Sequence, residues 1–481
     1  MSRVLDAVER YARIRPDTVA ISGAETDLTW SALAQEVEAA AARLAKLGAD
    51  MPAGAPVAIA LDNGPAWVVL DLALVRLGWP SLPIPGFFTP AQRDHALADA
   101  GAGLLITAEG PGLDLAIGQT LLKAQQLDLS PVRLPEGTAK ITYTSGSTGQ
   151  PKGVCLSLAQ MEAVAQSLVE VLGEDYAGRH LPLLPLSILL ENVAGLYPIL
   201  LAGGCYRVLP PAVLGLAEPF RPDLPRLTAA IATEGATSLI LVPELLRAIM
   251  MVMAFTGARF PALNLVAVGG AKVSPQLLAQ ADQLGLPVYE GYGLSECASV
   301  VALNTPQGRK AGAVGRPLPH LQVELDPDGE IIVGPSSFLG YAGRTAHQGP
   351  VRTGDIGSFD ADGFLRIEGR RGNTIINAFG RNIAPEWVES ELTAQPEIRQ
   401  AIVYGEARAE LSALIVPLSP DMPEAAVAQA VERANQNLPE YAQVRRWRTR
   451  APLDPAAGEL TGNGRPRRAA ILAATLVEPA E

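Results

Sequence analysis

Hydrophobic residues recur along this chain at two spacings, one typical of helices and one typical of short buried strands. Residues 5–14 and 30–47 place apolar side chains at helical intervals, so we predict two helices near the N-terminus. Residues 56–84 contain an apolar run, a helical stretch and a second apolar run. Short apolar runs return at 104–107, 238–242, 265–268 and 287–290. Strands alternating with helices in this way predict a layered α/β fold with mostly parallel sheets.

The pattern changes near residue 312, where short apolar strands are separated by Gly and Asp-Gly turns. This pattern of short strands and tight turns predicts a small β subdomain. Beyond residues 368–372, helical and strand patterns alternate over about 110 residues, a usual size for a separate α+β domain. We therefore predict a large N-terminal domain over residues 1–370 and a small C-terminal domain over residues 371–481.

Composition narrows the class of protein. The chain has 481 residues, of which 48% are hydrophobic, and a net charge of −12, which argues against nucleic acid as its main partner. Its three cysteines are scattered, so we expect a reducing, cytoplasmic setting without a disulfide framework. The most apolar window, residues 238–255, is interrupted by Glu244 and Arg247, so no membrane span is predicted. The four histidines lack metal-site spacing and are expected to be surface or packing residues.

The most informative segment is TYTSGSTGQPKG at residues 142–153, which follows a predicted strand at 139–143. Backbone N–H groups in such a glycine-rich loop can surround an oxyanion, hydroxyls add donors, and Lys152 adds a positive charge. The order Pro-Lys-Gly differs from a Walker A loop, in which Gly-Lys-Ser/Thr opens a helix. The residues predicted to bind a polyphosphate are Thr144, Ser145, Gly146, Ser147, Thr148, Gly149 and Lys152.

The same segment resembles the phosphate-binding signature of the adenylate-forming superfamily, which includes acyl-CoA synthetases, luciferases and nonribosomal-peptide adenylation domains. Six further segments resemble the family's motifs in the family's order, at residues 289–296, 312–317, 329–334, 351–355, 369–376 and 460–465. The loop at 377–387 resembles the long-chain acyl-CoA synthetase branch. The resemblance implies a ligase that uses ATP and Mg²⁺ to join a carboxylic acid, fatty or otherwise apolar, to a thiol.

The resemblance also implies roles for particular residues in nucleotide binding. Glu296 would hold Mg²⁺, which prefers carboxylates together with phosphate oxygens, although a carboxylate at a helix N-terminus is also favoured by the helix dipole. Asp355 would accept hydrogen bonds from the ribose hydroxyls, and Arg370 would lie near the ribose and phosphate. The remaining ATP-binding candidates are Gly291, Tyr292, Gly293 and Ser295.

Arg465 departs from the family's pattern. Relatives use a C-terminal lysine as a cation for adenylation, on a cap domain that then swings away for thioester formation. The arginine here reflects either functional divergence or a chain-wide preference, since the chain has six lysines and 32 arginines. Arg467 and Arg468 are nearby substitutes. The predicted catalytic residues are Arg465, Glu296, Thr144 and Lys152.

The acid and thiol sites follow from the same resemblance. The predicted acyl pocket comprises Ile188, Asn192, Gly269, Gly270 and Ala271. Ile188 replaces a histidine found in many fatty-acid relatives, and the stretch 184–194 lacks the aspartate that would hold an α-amine; Glu191 is its only acid. The predicted thiol side comprises Phe379, Gly380 and Arg381, and the predicted hinge is Gly372.

Four questions stay open on the sequence alone. The acceptor thiol can belong to coenzyme A or to the phosphopantetheine of an acyl carrier protein. The basic run at 445–450 can be a docking patch for either, or a solvated face. The protein can also be a catalytically weakened adenylate-binding relative, and its state can be a monomer or a homodimer.

Overall fold

The computed structural model describes residues 2–144, 151–173, 176–218, 222–335, 338–379, 381–454, 457–460 and 466–476. The helices are α1 Arg3–Ile14, α2 Trp30–Leu47, α3 Pro65–Leu77, α4 Pro90–Ala100, α5 Leu158–Leu172, α6 Leu189–Glu191, α7 Tyr197–Ala202, α8 Leu224–Thr233, α9 Pro243–Thr256, α10 Pro275–Gln283, α11 Pro385–Thr393, α12 Glu424–Gln436 and α13 Arg468–Leu476. Single turns of other helix types are the π-helical Asn192–Leu196 and the 3₁₀ turns Ser295–Cys297 and Glu440–Ala442.

The strands of the N-terminal half are β1 Val19–Ser22, β2 Asp27–Thr29, β3 Val57–Ala60, β4 Ser81–Pro83, β5 Leu104–Thr107, β6 Leu113–Ile117, β7 Thr120–Gln126, β8 Thr138–Thr144, β9 Lys152–Ser157, β10 Arg179–His180, β11 Cys205–Arg207, β12 Ser238–Leu241 and β13 Leu265–Val268. The remaining strands are β14 Val288–Leu294, β15 Ser299–Leu303, β16 Arg316–Pro317, β17 Gln322–Leu325, β18 Glu330–Gly334, β19 Gly340–Tyr341, β20 Val351–Phe359, β21 Leu365–Arg370, β22 Ile375–Ile376, β23 Asn382–Ile383, β24 Ile398–Tyr404, β25 Leu411–Pro417 and β26 Val444–Thr449.

Two large sheets form the N-terminal domain, and each has a parallel centre with antiparallel edges. The first sheet has the order β19-β9-β8-β4-β3-β5-β7-β6, and its strands β8, β4, β3 and β5 are parallel. The second has the order β16-β15-β14-β13-β12-β10-β11-β1-β2, with a parallel run from β14 to β1. The predicted α/β class is confirmed, and some of the antiparallel pairs at the edges, such as β6 with β7, are joined by tight hairpins.

Helix α3 shows why the layers hold together. Its residues 66–74 are all buried, which is the pattern of a helix enclosed on every side. Trp67 on this helix and Trp30 at the start of α2 are among the largest fully buried side chains. A second apolar cluster lies where helices α8, α9 and α10 cover the other sheet.

The small β subdomain and the C-terminal domain follow the change in sequence pattern. Strands β17, β18, β20 and β21 form an antiparallel sheet. In the C-terminal domain, β24, β25 and β26 form a sheet packed against α11 and α12, with its own core around Val388, Val403 and Ile415. Among the described residues, no helix is both long enough and apolar enough to cross a membrane.

Candidate active site

The hairpin of β8 and β9 holds the two ends of the predicted phosphate loop. Thr144 at the end of β8 is paired with Lys152 at the start of β9, so these two predicted site residues are cross-strand neighbours. The other predicted phosphate contacts, Ser145, Gly146, Ser147, Thr148 and Gly149, lie outside the described residues, as does the side chain of Thr144. The described part of the site therefore centres on Lys152 and the groups around it.

Lys152 and Glu296 meet through a residue that the sequence reasoning missed. The Lys152 ammonium lies 5.6 Å from the centre of the Tyr341 ring, and the Tyr341 hydroxyl donates a hydrogen bond of 3.0 Å to Glu296 Oε1. Tyr341 reaches this place because β19 pairs with β9, aligning Tyr341 with Val154. No spacing along the sequence connects residues 296 and 341, so this contact depends on the tertiary fold.

The environment keeps Tyr341 in its donor form. Burial, and secondarily the nearby Glu296 carboxylate, raise the pKa of Tyr341 to about 12. Glu296 itself lies in the turn Ser295–Cys297, directly after β14, and the chain leaves that turn through Ala298 in a left-handed conformation. A hydroxyl that stays protonated can fix one carboxylate oxygen of Glu296 while leaving the other available.

Three predicted nucleotide residues come together from separate motifs. Tyr292 on β14 donates a 2.6 Å hydrogen bond from its hydroxyl to Asp355 Oδ2, and Arg370 Nε lies 3.5 Å from Asp355 Oδ1. Asp355 on β20 is paired with Arg370 on β21, which explains their proximity. Burial raises the pKa of Tyr292 well above its usual value, with Asp355 adding to the shift, so its hydroxyl is a donor. The Asp355 carboxylate is thus fixed in orientation by one phenol and one guanidinium.

Gly291 and Gly293 have a packing role that the sequence did not indicate. A Cβ atom on Gly293 would overlap the carbonyl oxygen of Ser299, and one on Gly291 would lie 3.0 Å from Leu303 Cδ1. Both glycines therefore allow β14 to approach β15 closely. Ser295, the other predicted contact in this motif, begins the turn that presents Glu296.

The predicted acyl-pocket residues fall into two groups. Gly269 follows β13, and a Cβ atom there would meet the Gly291 carbonyl oxygen at 3.4 Å, so the segment containing Gly270 and Ala271 lies beside β14. Ile188 is half-buried before α6, and Asn192 is fully buried in the π-helical turn. Ile188 and Asn192 share the lining of a narrow cavity with Lys140 and Thr142 of β8.

Asn192 belongs to a buried polar network. Its Oδ1 accepts a hydrogen bond from Lys140, and its Nδ2 donates to Asp71 Oδ2 at 3.2 Å. Lys140 Nζ lies 2.6 Å from Asp71 Oδ1, and the Tyr197 hydroxyl donates to Asp71 Oδ2 at 2.8 Å. Burial lowers the pKa of Lys140, while Asp71 opposes the shift. This network ties β8 to α3 and to the turn that follows α6.

Glu191 is engaged in a second buried cluster. Its Oε1 accepts a 2.9 Å hydrogen bond from the Tyr206 hydroxyl and lies 2.9 Å from His180 Nε2. His180 Nδ1 in turn lies 2.9 Å from the hydroxyl of Ser238. A Cβ atom on Gly195 would overlap Glu191 Oε1, so the glycine leaves room for the carboxylate. Glu191 is therefore held inside the core of the second sheet.

The C-terminal candidates are only partly described. Phe379 is 74% exposed, and the Arg381 guanidinium lies 5.9 Å from the centre of the Tyr441 ring. A Cβ atom on Gly372 would meet no atom within 4 Å, so nothing nearby requires glycine there. Gly380 and Arg465 lie outside the described residues, so both remain sequence predictions.

Arg468, a proposed substitute for Arg465, has a structural contact instead. Its guanidinium forms two hydrogen bonds to the Glu389 carboxylate, at 2.7 and 2.8 Å, and a third to the Val403 carbonyl. This pairing anchors α13 to α11 and β24. Arg467 is therefore the remaining candidate to substitute for Arg465.

Comparisons with known proteins identify the family. Residues 8–342 match the family described as AMP-binding enzyme, and residues 372–474 match the AMP-binding enzyme C-terminal domain. The chain is 28% identical to an oxalate–CoA ligase of Arabidopsis thaliana, over 83% of this chain and 84% of that protein. It is 29% identical to a long-chain-fatty-acid–CoA ligase of Mycobacterium bovis, over 85% of this chain and 81% of the relative.

A solved structure shows the same fold. The anthranilate CoA ligase AuaEII, in complex with anthranoyl-AMP, aligns with a TM-score of 0.83 at 20% identity, covering 98% of this chain and 97% of that one. The predictions of an adenylate-forming fold and of an AMP-forming acid–thiol ligase as the enzyme class are confirmed. The 335-residue match covers well over half of the sequence, and this chain belongs to the AMP-binding enzyme family.

Proposed function

We propose that this enzyme uses ATP and Mg²⁺ to convert an apolar carboxylic acid into an acyl-adenylate and then transfers the acyl group to coenzyme A. The observation that supports this most strongly is the convergence of separate motifs around β14. Tyr292 lies on β14, and Glu296 follows the strand directly. Asp355 contacts both Tyr292 and Arg370. The Lys152 ammonium lies beside the ring of Tyr341, whose hydroxyl is bonded to Glu296.

The first step is a displacement at phosphorus. An oxygen of the acid forms a bond to the α-phosphorus of ATP, the bond to the bridging oxygen breaks, and pyrophosphate leaves with the electron pair. Negative charge develops on the leaving group, so fixed cations lower the barrier. Lys152 is the described cation at the predicted phosphate loop, and Arg465 is the proposed second cation from the C-terminal domain.

Glu296 fits the proposed magnesium site. Tyr341 occupies one position on Oε1, which leaves Oε2 and a further lone pair for a cation. One carboxylate suffices, because Mg²⁺ is usually bound by one or two carboxylates together with substrate phosphates and water. When bound, the ion would neutralise phosphate charge. Tyr341 would hold the carboxylate in a single orientation for it.

Asp355 is the proposed ribose ligand. Its Oδ2 accepts the Tyr292 hydroxyl and its Oδ1 lies 3.5 Å from Arg370 Nε, so the carboxylate has a fixed orientation. A carboxylate fixed in this way is suited to accept hydrogen bonds from the ribose hydroxyls. Arg370 is about half exposed, so its guanidinium can also reach a phosphate oxygen.

The nature of the acid is inferred from what lines the predicted pocket. Glu191, the acid present in the stretch 184–194, is fully buried, and its Oε1 is engaged by His180 and Tyr206, which disfavours its contact with the α-amine of a bound acid. Ile188, Gly269 and Ala271 add no charge. These features support an apolar acid, fatty or aromatic, over an amino acid. The relatives' named substrates, oxalate and long-chain fatty acids, are too different to choose between them.

Coenzyme A is the proposed acceptor. In the second step its thiol loses a proton to solvent and forms the carbon–sulfur bond, the bond between the acyl carbon and the AMP phosphate oxygen breaks, and AMP leaves with the electron pair. The net charge of −12 disfavours an acidic carrier protein. Within the basic run 445–450, Arg446 on β26 lies 3.5 Å from Glu410, Arg450 just after β26 is paired with Glu459, and Arg445 is exposed. Because Arg446 and Arg450 lie beside carboxylates, the run 445–450 offers less positive surface for docking a protein than its sequence suggests.

Pyrophosphate release tests the proposal directly. The purified enzyme is given ATP, Mg²⁺ and a panel of fatty, aromatic and amino acids, with coenzyme A, with a phosphopantetheinylated carrier protein, or with neither. We expect one turnover without a thiol and continued turnover with coenzyme A. Turnover only with the carrier protein would change the acceptor. No pyrophosphate release with any acid would favour the weakened adenylate-binding protein.

A further inference from the structure

The helical run 189–202 changes its winding at Asn192–Leu196, where α6 passes into a single π-helical turn before α7. Across this turn the Tyr197 N–H bonds to the Asn192 carbonyl, five residues back rather than four. A π turn contains about one residue more than an α turn, so it offsets the helix faces before and after it by roughly 100°. The rotation of the segment that enters the turn therefore depends on what holds the turn in place.

Two adjacent residues of this segment are held from opposite sheets. Glu191 is bonded to side chains on β10 and β11 of the second sheet. Asn192 is bonded to Lys140 on β8 of the first sheet and to Asp71 on α3. Because the two neighbours are bonded in different directions, the segment cannot rotate without breaking one of these sets of hydrogen bonds.

Asp71 ties the two ends of the π turn together. Its carboxylate accepts hydrogen bonds from Lys140 at 2.6 Å, from the Asn192 amide at 3.2 Å and from the Tyr197 hydroxyl at 2.8 Å. Asn192 is the first residue of the turn, and Tyr197 directly follows it. All four side chains are fully buried, and burial raises the pKa of Tyr197 well above its usual value, so its hydroxyl is a donor.

Stability alone does not explain a buried charge pair at this place. Removing two charges from water costs free energy that their attraction often fails to return, and apolar side chains in their place are frequently as stable or more stable. A fully bonded polar network inside a protein can instead specify one conformation. Here the conformation that it specifies is the π turn, a type of turn that occurs frequently at functional sites.

The turn also forms part of the predicted acyl pocket. Ile188 and Leu189 lead into it, and together with Asn192 they line the narrow cavity beside β8. Asp71 lies behind this wall, bonded to Lys140 and Asn192. A change in the winding of the turn would therefore move the wall of the pocket. The predicted nucleotide residues on β14, β20 and β21 belong to other elements.

We propose that Asp71 is a positioning residue that determines which acids the enzyme accepts. With Lys140 it holds the two ends of the π turn, and the turn fixes the pocket wall at residues 188–192. Asp71 acts through Asn192 and Tyr197 rather than by touching the substrate. Identifying the ligand as a carboxylic acid rests on the proposed function, whereas the hold on the turn does not.

Two double variants that differ only at residue 71 isolate this contact. Asp71→Leu/Lys140→Met removes both buried charges together with the acceptor for Asn192 and Tyr197. Asp71→Asn/Lys140→Met also removes both charges, but its amide oxygen can still accept hydrogen bonds from these two residues. Thermal melting verifies that each variant is folded. Tyr197→Phe releases only one end of the turn and keeps the test available if the leucine variant does not fold.

The kinetic readout is the KM for the acid compared with the KM for ATP, both measured by pyrophosphate release. We expect the leucine variant to raise the KM for the preferred acid roughly tenfold, the size of one lost hydrogen bond to a charged group. The KM for ATP should stay within about twofold of the parental value, because the nucleotide residues lie on other elements. The asparagine variant should recover most of the affinity for the acid, and Tyr197→Phe should change the KM in the same direction as the leucine variant.

Amide hydrogen exchange on the ligand-free protein tests the turn itself. The Tyr197 N–H should exchange on the order of tenfold faster in the leucine variant than in the asparagine variant. Equal exchange in the two variants would overturn the inference, and so would faster exchange with an unchanged KM for the acid. If the parent turns over no acid, the proposed function fails, and the exchange rates alone decide whether Asp71 holds the turn.

Discussion

Tyr341 connects the proposed metal ligand with the phosphate loop. Its hydroxyl donates to Glu296, and its ring lies beside Lys152. Tyr341→Phe removes only the hydrogen bond, so we expect the Mg²⁺ concentration needed for half-maximal pyrophosphate release to rise about tenfold, as is typical for lost support of a metal ligand. Tyr404→Phe is the control on a residue remote in sequence from this motif. An unchanged Mg²⁺ dependence would show that the contact has no functional role.

Asp355 should determine the affinity for the nucleotide. Asp355→Ala removes the acceptor of the two proposed ribose hydrogen bonds, each worth about 1.5–3 kcal/mol when charged. We expect ATP binding to weaken by on the order of 10²-fold or more, with the melting temperature little changed. Calorimetry with ATP measures the effect. Equal affinity in the variant and the parent would refute the ribose assignment.

Arg465 is tested by measuring the two half-reactions separately. If it is the adenylation cation, Arg465→Ala should slow acyl-adenylate formation by on the order of 10²–10³, the cost of losing one preorganised donor. Thioester formation from added acyl-adenylate should survive, and Arg465→Lys should be near neutral. If the alanine variant forms adenylate at the parental rate, Arg467 becomes the next candidate, because Arg468 is bound to Glu389.

At the scale of elements, β14 contains a buried acid whose ionisation opposes folding. Glu290 is 5% exposed, and burial raises its pKa to about 7, with the Val273 N–H and Lys272 opposing the shift. A raised folded-state pKa stabilises the protein below the unfolded value of about 4.5, and this contribution is lost as the pH rises through 7.

Glu290→Gln should therefore stabilise the protein at pH 8 by about 1–3 kcal/mol, and the gain should shrink towards pH 5. Urea unfolding at both pH values measures this difference. Glu324→Gln on β17 is a control at a more exposed carboxylate. A gain that is equal at pH 5 and pH 8 would show that ionisation of Glu290 is not its cause.

The sequence predicted the elements with strong periodicity and missed those without it. The predicted helical stretch at 65–77 coincides with α3, because a helix enclosed on all sides has a long apolar run, interrupted here only by Asp71 and Arg76. Strand β26 reads Val-Arg-Arg-Trp-Arg-Thr and overlaps the basic run 445–450, for which the sequence leaves a docking patch and a solvated face as alternatives. It is a strand because β25 offers it a parallel partner, from Leu411 with Val444 to Ile415 with Thr449. That pairing is a long-range contact without a local signal.

The residues of the candidate site also divide into those that a sequence motif identifies and those that only long-range contacts reveal. Motifs identified Tyr292, Asp355 and Arg370, and pairing of β20 with β21 brings the last two together. Tyr341 and Lys140 were missed because their roles depend on partners 45 and 69 positions away. A lysine within the apolar strand β8 was a usable signal, since a fully buried lysine requires a carboxylate partner such as Asp71.

At the scale of the whole molecule, Arg247 joins the two domains. It lies on α9 of the N-terminal domain and donates hydrogen bonds to the backbone carbonyls of Thr393, Ile398 and Arg399, the last at 2.8 Å. Thr393 is the last residue of α11, where exposed carbonyls and the helix dipole favour a cation. Gln276 on α10 adds a 3.3 Å hydrogen bond from Gln395. These hydrogen bonds therefore link the C-terminal domain to the N-terminal domain in this orientation.

Arg247→Ala should loosen this docking without unfolding either domain. We expect residues 372–476 to become more susceptible to limited proteolysis, because three carbonyls lose their donor at the domain boundary. The rates of acyl-adenylate formation and of thioester formation should change by different factors, because the domain orientation that this contact stabilises becomes less populated. Arg259→Ala, near the end of the same helix, is the control. Proteolysis and half-reaction rates identical to the parent would show that Arg247 does not set the orientation of the domains.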